Sequence, residues 1–437
     1  MAGGDAAAPA VLHDMLRLFL GATDRTPRGI DRIDLAYARY LCGEWPGPAY
    51  GLLPTPLGPR LFERQRVLRG LDRLERLWRE DTTADADPAY AYVRARLAGH
   101  AAMPPPPASP MHLPAKLVRL RDLVAATGLA LGTGAVRRAP RGAVYLNVGQ
   151  LGWAAPFTTR WLRRRPDIRA VFMLHDAIPV ERSDLVSGLG HHTHRMMLRT
   201  AARRASGLIV TTESAAGSVL TALAALGRVS APPTARIPLP VAPLFLEPLP
   251  PDPDLTTRHY FLVCGAIEPR KNLLMLLDVW QELQQRLGTG APHLVVAGAL
   301  ARQGAPIRDR LLAAGPNVTV VANLSSPGLR RLMVHARALL MPSLAEGFGL
   351  PIIEALALGT PVLASDLPAH QEAGGLLPTY LDPQDTAAWT EAIASLATDD
   401  AAHGAARQRL AAYRPFTEAD YFRRVGAFLS GLAAGCD

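Results

Sequence analysis

The sequence predicts an α/β protein built from two doubly wound parallel-sheet domains. Three observations carry this. From about residue 258 onward, strand-like runs at 260–265, 294–298, 318–322, 338–341 and 361–365 alternate with helical stretches near 273–287, 306–313, 327–336, 351–358 and 385–397. Strands alternating with helices of that size form a parallel sheet covered on both faces. A second pattern precedes it, with strands at 143–148, 170–174 and 208–211 and helices near 191–205 and 213–226. Between the two, the proline-rich stretch 237–253 reads as an extended linker. A chain of 437 residues has room for two domains with cores of their own.

The remaining elements follow in order. The turn Thr26-Pro27-Arg28-Gly29-Ile30-Asp31-Arg32 enters a helix with Ile30, Ile33, Tyr37 and Leu41 on one face. Residues 60–80 read as an amphipathic helix, with Leu61, Val67, Leu68, Leu71, Leu74 and Trp78 opposite many arginines. The stretch 103–114, with four consecutive prolines at 104–107, reads as a loop or tether. A last helix is expected over about 418–432. The expected units are an N-terminal domain over 1–245, a C-terminal domain over 246–415, and a closing segment over 416–437 that can pack back on the N-terminal domain.

Composition narrows the function classes. Lys and Arg total 47 against 38 Asp and Glu, a formal charge of +9. The basic residues are spread along the chain and no nucleic-acid module is visible, so an anionic membrane surface or phosphate-bearing substrates explain the charge equally well. No apolar run approaches the roughly 20 residues of a membrane span. No basic segment precedes an apolar one near the start, so secretion is not expected. Cys42, Cys264 and Cys436 lack metal or disulfide spacing and fit a reducing, cytoplasmic setting.

Chemistry concentrates in two stretches. Pro342-Ser343-Leu344-Ala345-Glu346-Gly347-Phe348-Gly349-Leu350-Pro351-Ile352-Ile353-Glu354-Ala355 reads as a strand end, a Gly-rich turn and a short helix. Gly347 and Gly349 let the backbone approach a ligand, and Pro351 suits a first helical turn. Free amides at such a helix start suit a phosphate. Glu346 and Glu354 flank the turn and suit hydroxyl-rich groups, a ribose and a sugar. The second stretch, Gly265-Ala266-Ile267-Glu268-Pro269-Arg270-Lys271-Asn272, joins a strand to a helix. Lys116 and Lys271 are the chain's two lysines, which makes Lys beside Arg at this junction notable. Arg supplies a planar fork for phosphate oxygens and Lys a point charge. Both stretches fall at carboxyl ends of strands, where open parallel sheets bind ligands.

On these residues the chain resembles family 4 glycosyltransferases, the retaining nucleotide-sugar enzymes with the GT-B fold of two Rossmann-like domains facing a cleft. The likeness is strong over about 258–366, looser over 142–226, and thin before that apart from the Gly29-Ile30-Asp31-Arg32 turn; 54–115 reads as an insertion. Asn147-Val148-Gly149, His175-Asp176 and Glu-Pro-Arg-Lys-Asn are similar to mannosyltransferase-type members that build bacterial polysaccharides. The resemblance implies Arg270 and Lys271 on the donor diphosphate, with Gly347, Phe348, Gly349 and Leu350 contributing amides. It implies Glu354 on the ribose, Glu346 on the transferred sugar, and His175 with Asp176 at the reacting centre. Gly29, Gly265 and Asn272 would shape the donor loops. No metal or other cofactor is implied. The implied reaction moves a hexose, mannose from GDP-mannose, onto a lipid-linked oligosaccharide or polysaccharide precursor. The implied partners are a nucleotide-sugar donor and a polyprenyl-diphosphate-linked glycan acceptor, at the inner face of the plasma membrane. Other readings on the same fold are a UDP-sugar transferase, an epimerase, or a non-catalytic nucleotide-sugar-binding component.

Two further groups have competing readings. His191, His192 and His194 suit a solvated helix start or, with Asp176, a metal site. Trp153, Phe157 and Trp161 beside Arg160, Arg163, Arg164 and Arg165 suit partial core or a membrane-surface patch, a role the 60–80 helix could share.

Overall fold

In the computed structural model, β1 (Val11–Asp14), β2 (Ala49–Leu53), β3 (Arg60–Glu63), β4 (Thr133–Gly134), β5 (Val144–Asn147), β6 (Arg169–Leu174), β7 (Ala205–Val210) and β8 (Thr234–Arg236) form one sheet. Their order is β4-β3-β2-β1-β5-β6-β7-β8. β3 runs antiparallel to both neighbours and the other pairings are parallel. A second sheet holds β9 (Tyr260–Cys264), β10 (His293–Ala297), β11 (Val318–Val321), β12 (Ala338–Met341), β13 (Val362–Ser365) and β14 (Thr379–Leu381). Its order is β11-β10-β9-β12-β13-β14, parallel throughout. The structure describes all residues except 1–7, 25, 56–57, 79–82, 100–105, 107–112, 128–132, 251, 257–258, 300, 302–303 and 435–437.

The chain reverses its direction of sheet-building between β9 and β12, and between β1 and β5. Loops leaving two such neighbours diverge to opposite faces and open a crevice. Both chemical motifs leave the β9–β12 pair, so topology alone brings them together. The central strands β9 and β12 are buried along their whole length, which the continuous apolar runs require. Trp280 and Trp389 fill the space between that sheet and its helices.

Several expectations change. Residues 60–80 are not one helix: Arg60–Glu63 is the strand β3, and the helix runs Arg64–Trp78. Neighbouring Leu61 and Phe62 enter different cores on opposite faces, as side chains of a strand do. Strands β1 and β2 gave no apolar alternation and were not anticipated; β1 carries buried His13 and Asp14. The first part of the stretch 237–253 is packed rather than a free linker, with Ile237, Leu239, Val241 and Phe245 buried and Val241 N donating to Phe416 O at 3.0 Å, while 246–248 and 250 are exposed. Within 54–115, β3 extends the first sheet. The helix Pro88–Leu97 docks on the second sheet's side, where Ser325 N donates to Asp87 at 2.7 Å and the Tyr90 hydroxyl donates to Asp252. Most of the 103–114 tether lies outside the described residues.

The last helix, Glu418–Ala434, returns to the first domain. There the Tyr421 and Tyr37 hydroxyls share a hydrogen bond of 2.7 Å, and Phe422 stacks on Tyr40 with ring centroids 4.3 Å apart. Gly207 on β7 lies against Leu432 and Phe428 of the same helix.

Candidate active site

The second-domain half begins at the end of β9. Gly265 has φ +138°, and a Cβ there would stand 3.3 Å from Lys271 Cε, so glycine leaves room for the lysine stem. Pro269–Lys271 forms a tight turn. Asn272 then takes the left-handed conformation (φ 55°) and its side-chain amide donates to Pro383 O at 2.8 Å, fixing entry to the helix Leu273–Leu287. Leu344 N donates to Arg270 O at 2.8 Å, which welds the loop after β9 to the loop after β12.

The cations and carboxylates of the two loops form one cluster. Arg270 meets Glu346 at 2.8 Å and Glu268 at 2.7 Å. Lys271 Nζ bonds Glu346 Oε1, which also accepts from the Ser343 hydroxyl at 2.9 Å. Burial opposes the Glu346 charge, but Arg270 and Lys271 outweigh it and hold the carboxyl well below the usual range. Burial also opposes the Arg270 charge, and Glu346, Glu268 and Asp176 more than restore it. Lys271 is only 8% exposed. The sequence suggested separate tasks for Glu346 and the two cations; the structure makes Glu346 their shared counter-ion. Burial pushes the neighbouring Cys264 thiol up to about 12, so it is no nucleophile.

Past Glu346, Gly347 and Phe348 are buried, and Gly349 (φ 109°) turns the chain into the helix Leu350–Ala357. Pro351 sits in its first turn, as anticipated. Glu354, on the next turn, is 1% exposed and pairs with Arg32 of the first domain at 2.6 Å. Gly29, which opens the helix Gly29–Gly43, faces Leu350 so closely that a Cβ would come to 3.0 Å from Leu350 Cδ1.

The first-domain half closes on the same turn. His175 and Asp176 follow β6 directly. A Cβ on Gly347 would meet His175 O at 2.6 Å and Asp176 Oδ2 at 2.9 Å. The hydroxyls of Thr211 and Thr212, just past β7, both donate to Gly347 O at 3.2 Å. His175 Nε2 is buried with no hydrogen-bond partner among the described residues. Burial, helped by the Arg17 charge, lowers its pKa to about 4, so the imidazole is neutral near pH 7. Burial pushes the Asp176 carboxyl up, against the pull of His194 and Arg270.

The structure thus joins Arg270, Lys271 and Glu346 in one cluster and sets Gly347 against His175 and Asp176, while Glu354 pairs with Arg32 and the Asn272 side chain turns to Pro383. Arg32, Thr211, Thr212 and Ser343 were missed as participants. Arg32 stood inside a quoted motif, and the threonines follow a strand's carboxyl end, which was the available signal. His191 Nδ1 meets Pro179 O at 2.8 Å and His194 Nε2 meets Asp176 O at 3.1 Å. Among the described residues no group of His, Cys, Asp and Glu is placed to hold a metal. Of the aromatic–basic stretch, Trp153 stacks on Phe172 at 4.4 Å and Trp161 meets Tyr145 edge-on, both buried; Phe157 is exposed. The core reading therefore holds for both tryptophans.

Two sheets facing each other across a cleft, with the ligand motifs at their carboxyl ends, define a GT-B architecture. Solved structures agree on the fold along the whole chain. Sucrose-phosphate synthase from Thermosynechococcus elongatus superposes with a TM-score of 0.60 at 18% identity, covering 98% of this chain and 100% of that one. An Escherichia coli structure described as "Trehalose-6-phosphate" bound with UDP-2-fluoro glucose gives 0.54 at 15% identity, covering 97% and 99%. Residues 258–399 match the family described as glycosyl transferases group 1, and this part of the chain is a glycosyltransferase group 1 domain. The chain is similar to the O-antigen chain mannosyltransferase RfbU of Salmonella typhimurium, 30% identical over 140 residues, which are 32% of this chain and 38% of that protein. It is also similar to O-antigen chain mannosyltransferase B of E. coli, 31% identical over 149 residues, 33% of this chain and 39% of that protein. The matched region thus spans less than two fifths of either relative. No helix among the described residues is long and apolar enough to cross a membrane.

Proposed function

We propose that the chain is a retaining glycosyltransferase that moves a hexose, mannose from GDP-mannose, onto a lipid-linked oligosaccharide or polysaccharide precursor. The observation that carries the reading is the closure of the Glu346–Gly349 turn, with Arg270 and Lys271 beneath it, against His175, Asp176, Thr211 and Thr212. Breaking an anomeric carbon–oxygen bond puts negative charge on the departing diphosphate and positive charge on the sugar. The half-buried Arg270, the buried Lys271 and the amides ahead of the helix Leu350–Ala357 suit the first charge. Glu346 is held ionised between those cations and suits the second, or the sugar's hydroxyls. His175 is neutral and its buried Nε2 has no hydrogen-bond partner among the described residues, so it suits a hydrogen bond to the sugar rather than a fixed charge. On this assignment the diphosphate is stabilised by protein groups, and transfer is expected to continue in EDTA.

Mannose and a polysaccharide acceptor rest on the O-antigen mannosyltransferases that about a third of the chain resembles. A polyprenyl-diphosphate acceptor would bring the protein to an anionic membrane. The arginine-rich helix Arg64–Trp78 and the exposed Leu113, Leu117 and Val118 beside Lys116 support that placement. A thermal-shift panel of GDP, UDP, dTDP and ADP with their sugars tests the donor, followed by transfer to polyprenyl-diphosphate glycans. Stabilisation by GDP and GDP-mannose above the others is expected. Stabilisation by UDP-sugars alone would move the reading to a UDP-sugar enzyme, and conversion of donor without acceptor to an epimerase.

A further inference from the structure

We infer that Arg32 is a specificity-determining residue for the donor's ribose: it positions the Glu354 carboxylate that reads the ribose hydroxyls, although it belongs to the opposite domain. The inference rests on the nucleotide-sugar reading above and adds a residue that the motifs left without a role.

Glu354 lies on the helix Leu350–Ala357 and is 1% exposed. A carboxylate so far from water needs a partner to stay ionised. Arg32 supplies it, with Nη2 2.6 Å from Glu354 Oε1. Three features fix where that guanidinium points. Gly29 packs on Leu350, and Arg32 follows three residues later on the same helix face. On another side, Arg32 Cζ stands 5.5 Å from the centroid of the buried Phe245 ring, in cation–π range. The helix start itself is secured by Asp31, which accepts from Arg28 N at 2.8 Å and from Arg17 Nε at 2.5 Å. A planar fork held against a ring and a carboxylate at once is a task for arginine, and lysine's point charge would not reproduce it.

The consequence is that the ribose carboxylate is oriented only when the two domains stand together. A nucleotide bound to the second domain alone would meet its diphosphate cluster but a carboxylate in the wrong pose. Ribose recognition then reports closure of the cleft, which is where Gly347 meets His175.

The test uses the full chain and isothermal titration with GDP, UDP and ADP, each against its 2′,3′-dideoxy counterpart. The variants are Arg32→Met, Arg32→Lys, Glu354→Gln and the Arg32→Met/Glu354→Gln double. A hydrogen bond to a charged group corresponds to a ribose-over-dideoxyribose ratio on the order of ten- to a hundredfold in the wild type. Arg32→Met should erase that ratio as fully as Glu354→Gln does, and the double variant should lose nothing more, because the two side chains act as one unit. Arg32→Lys keeps the charge and the stem, should melt near the wild type, and should still lower the ratio several-fold. If Arg32→Met weakens ribo- and dideoxyribonucleotides equally, Arg32 is only a pin between domains and the inference is wrong. It is equally wrong if both Arg32 variants keep the wild-type ratio. A wild type that binds none of the three nucleotides would overturn the nucleotide-sugar reading itself, which separates that failure from this one.

Discussion

Replacing Gly347 by alanine tests whether the cleft works at the closeness seen here. The glycine's φ is not in the left-handed region, so alanine brings no backbone strain of its own. What it brings is a methyl 2.6 Å from His175 O, with Asp176 Oδ2 at 2.9 Å and Asp176 Cβ at 3.1 Å. The first of these is backbone and cannot rotate away. Restoring ordinary contact, near 3.4 Å, means parting the two halves by about 0.8 Å. The Thr211 and Thr212 bonds to Gly347 O, both 3.2 Å, would then stretch beyond hydrogen-bond range, at about 1 kcal/mol each. A displacement approaching 1 Å between groups on either side of a reacting atom lowers rates on the order of a hundredfold. The expected result for Gly347→Ala is therefore a roughly hundredfold fall in kcat/KM for sugar transfer with a melting temperature only a few degrees lower. The assay follows label from the donor that stabilises the wild type into glycan acceptor, alongside a thermal melt. Transfer at the wild-type rate by a folded Gly347→Ala protein would refute the reasoning, because the chemistry would then not need this contact.

Lys271→Ala removes one of two cations assigned to the leaving diphosphate; turnover should fall roughly a hundredfold, about 3 kcal/mol of transition-state stabilisation, with the fold intact by circular dichroism. Near wild-type turnover would remove that assignment. Asp14 offers a pH test: burial raises its pKa from 3.8 to about 6, against the pull of the Tyr145 hydroxyl and Leu16 N. The folded protein therefore holds this proton more tightly than the unfolded chain, so its stabilising contribution is full below pH 4 and lost as pH rises through about 6. Asp14→Asn stays neutral throughout, so at pH 7.5 it should exceed the wild type by up to about 3 kcal/mol in urea unfolding and match it near pH 4. A parallel pair of stability curves from pH 4 to 7.5 would show that Asp14 is not the group responsible.

Much of the second domain was legible because its signals are local. Continuous apolar runs mark strands buried on both faces, and Ala338–Met341 and Tyr260–Cys264 are such strands. The positions of Gly349, Pro351 and Asn272 follow from backbone geometry within a few residues of each. Arg270, Lys271, Glu346 and Glu354 were found because glycines and prolines frame them. The edge of the first sheet was not legible. β1 buries His13 and Asp14 beside Asp34 and Tyr145, so its sequence carries neither an apolar run nor a clean alternation. β3 was absorbed into the helix that follows it, because Leu61 fits the helical stripe as well as a strand face.

By itself, then, the sequence determined the parallel-sheet class, the two loops that carry charge and the carboxylates that flank them. Only the tertiary structure decided what those carboxylates face. Arg32 and Glu354 are 2.6 Å apart in space, yet nothing in the residues between them couples their positions. The same holds for Thr211 and Thr212 with Gly347, and for Tyr37 with Tyr421. Backbone propensity and hydrophobic period reach over a few turns of chain. Which side chains meet across a cleft is fixed by how the finished sheets and helices pack, and that packing set the two local motifs against each other and against the first domain.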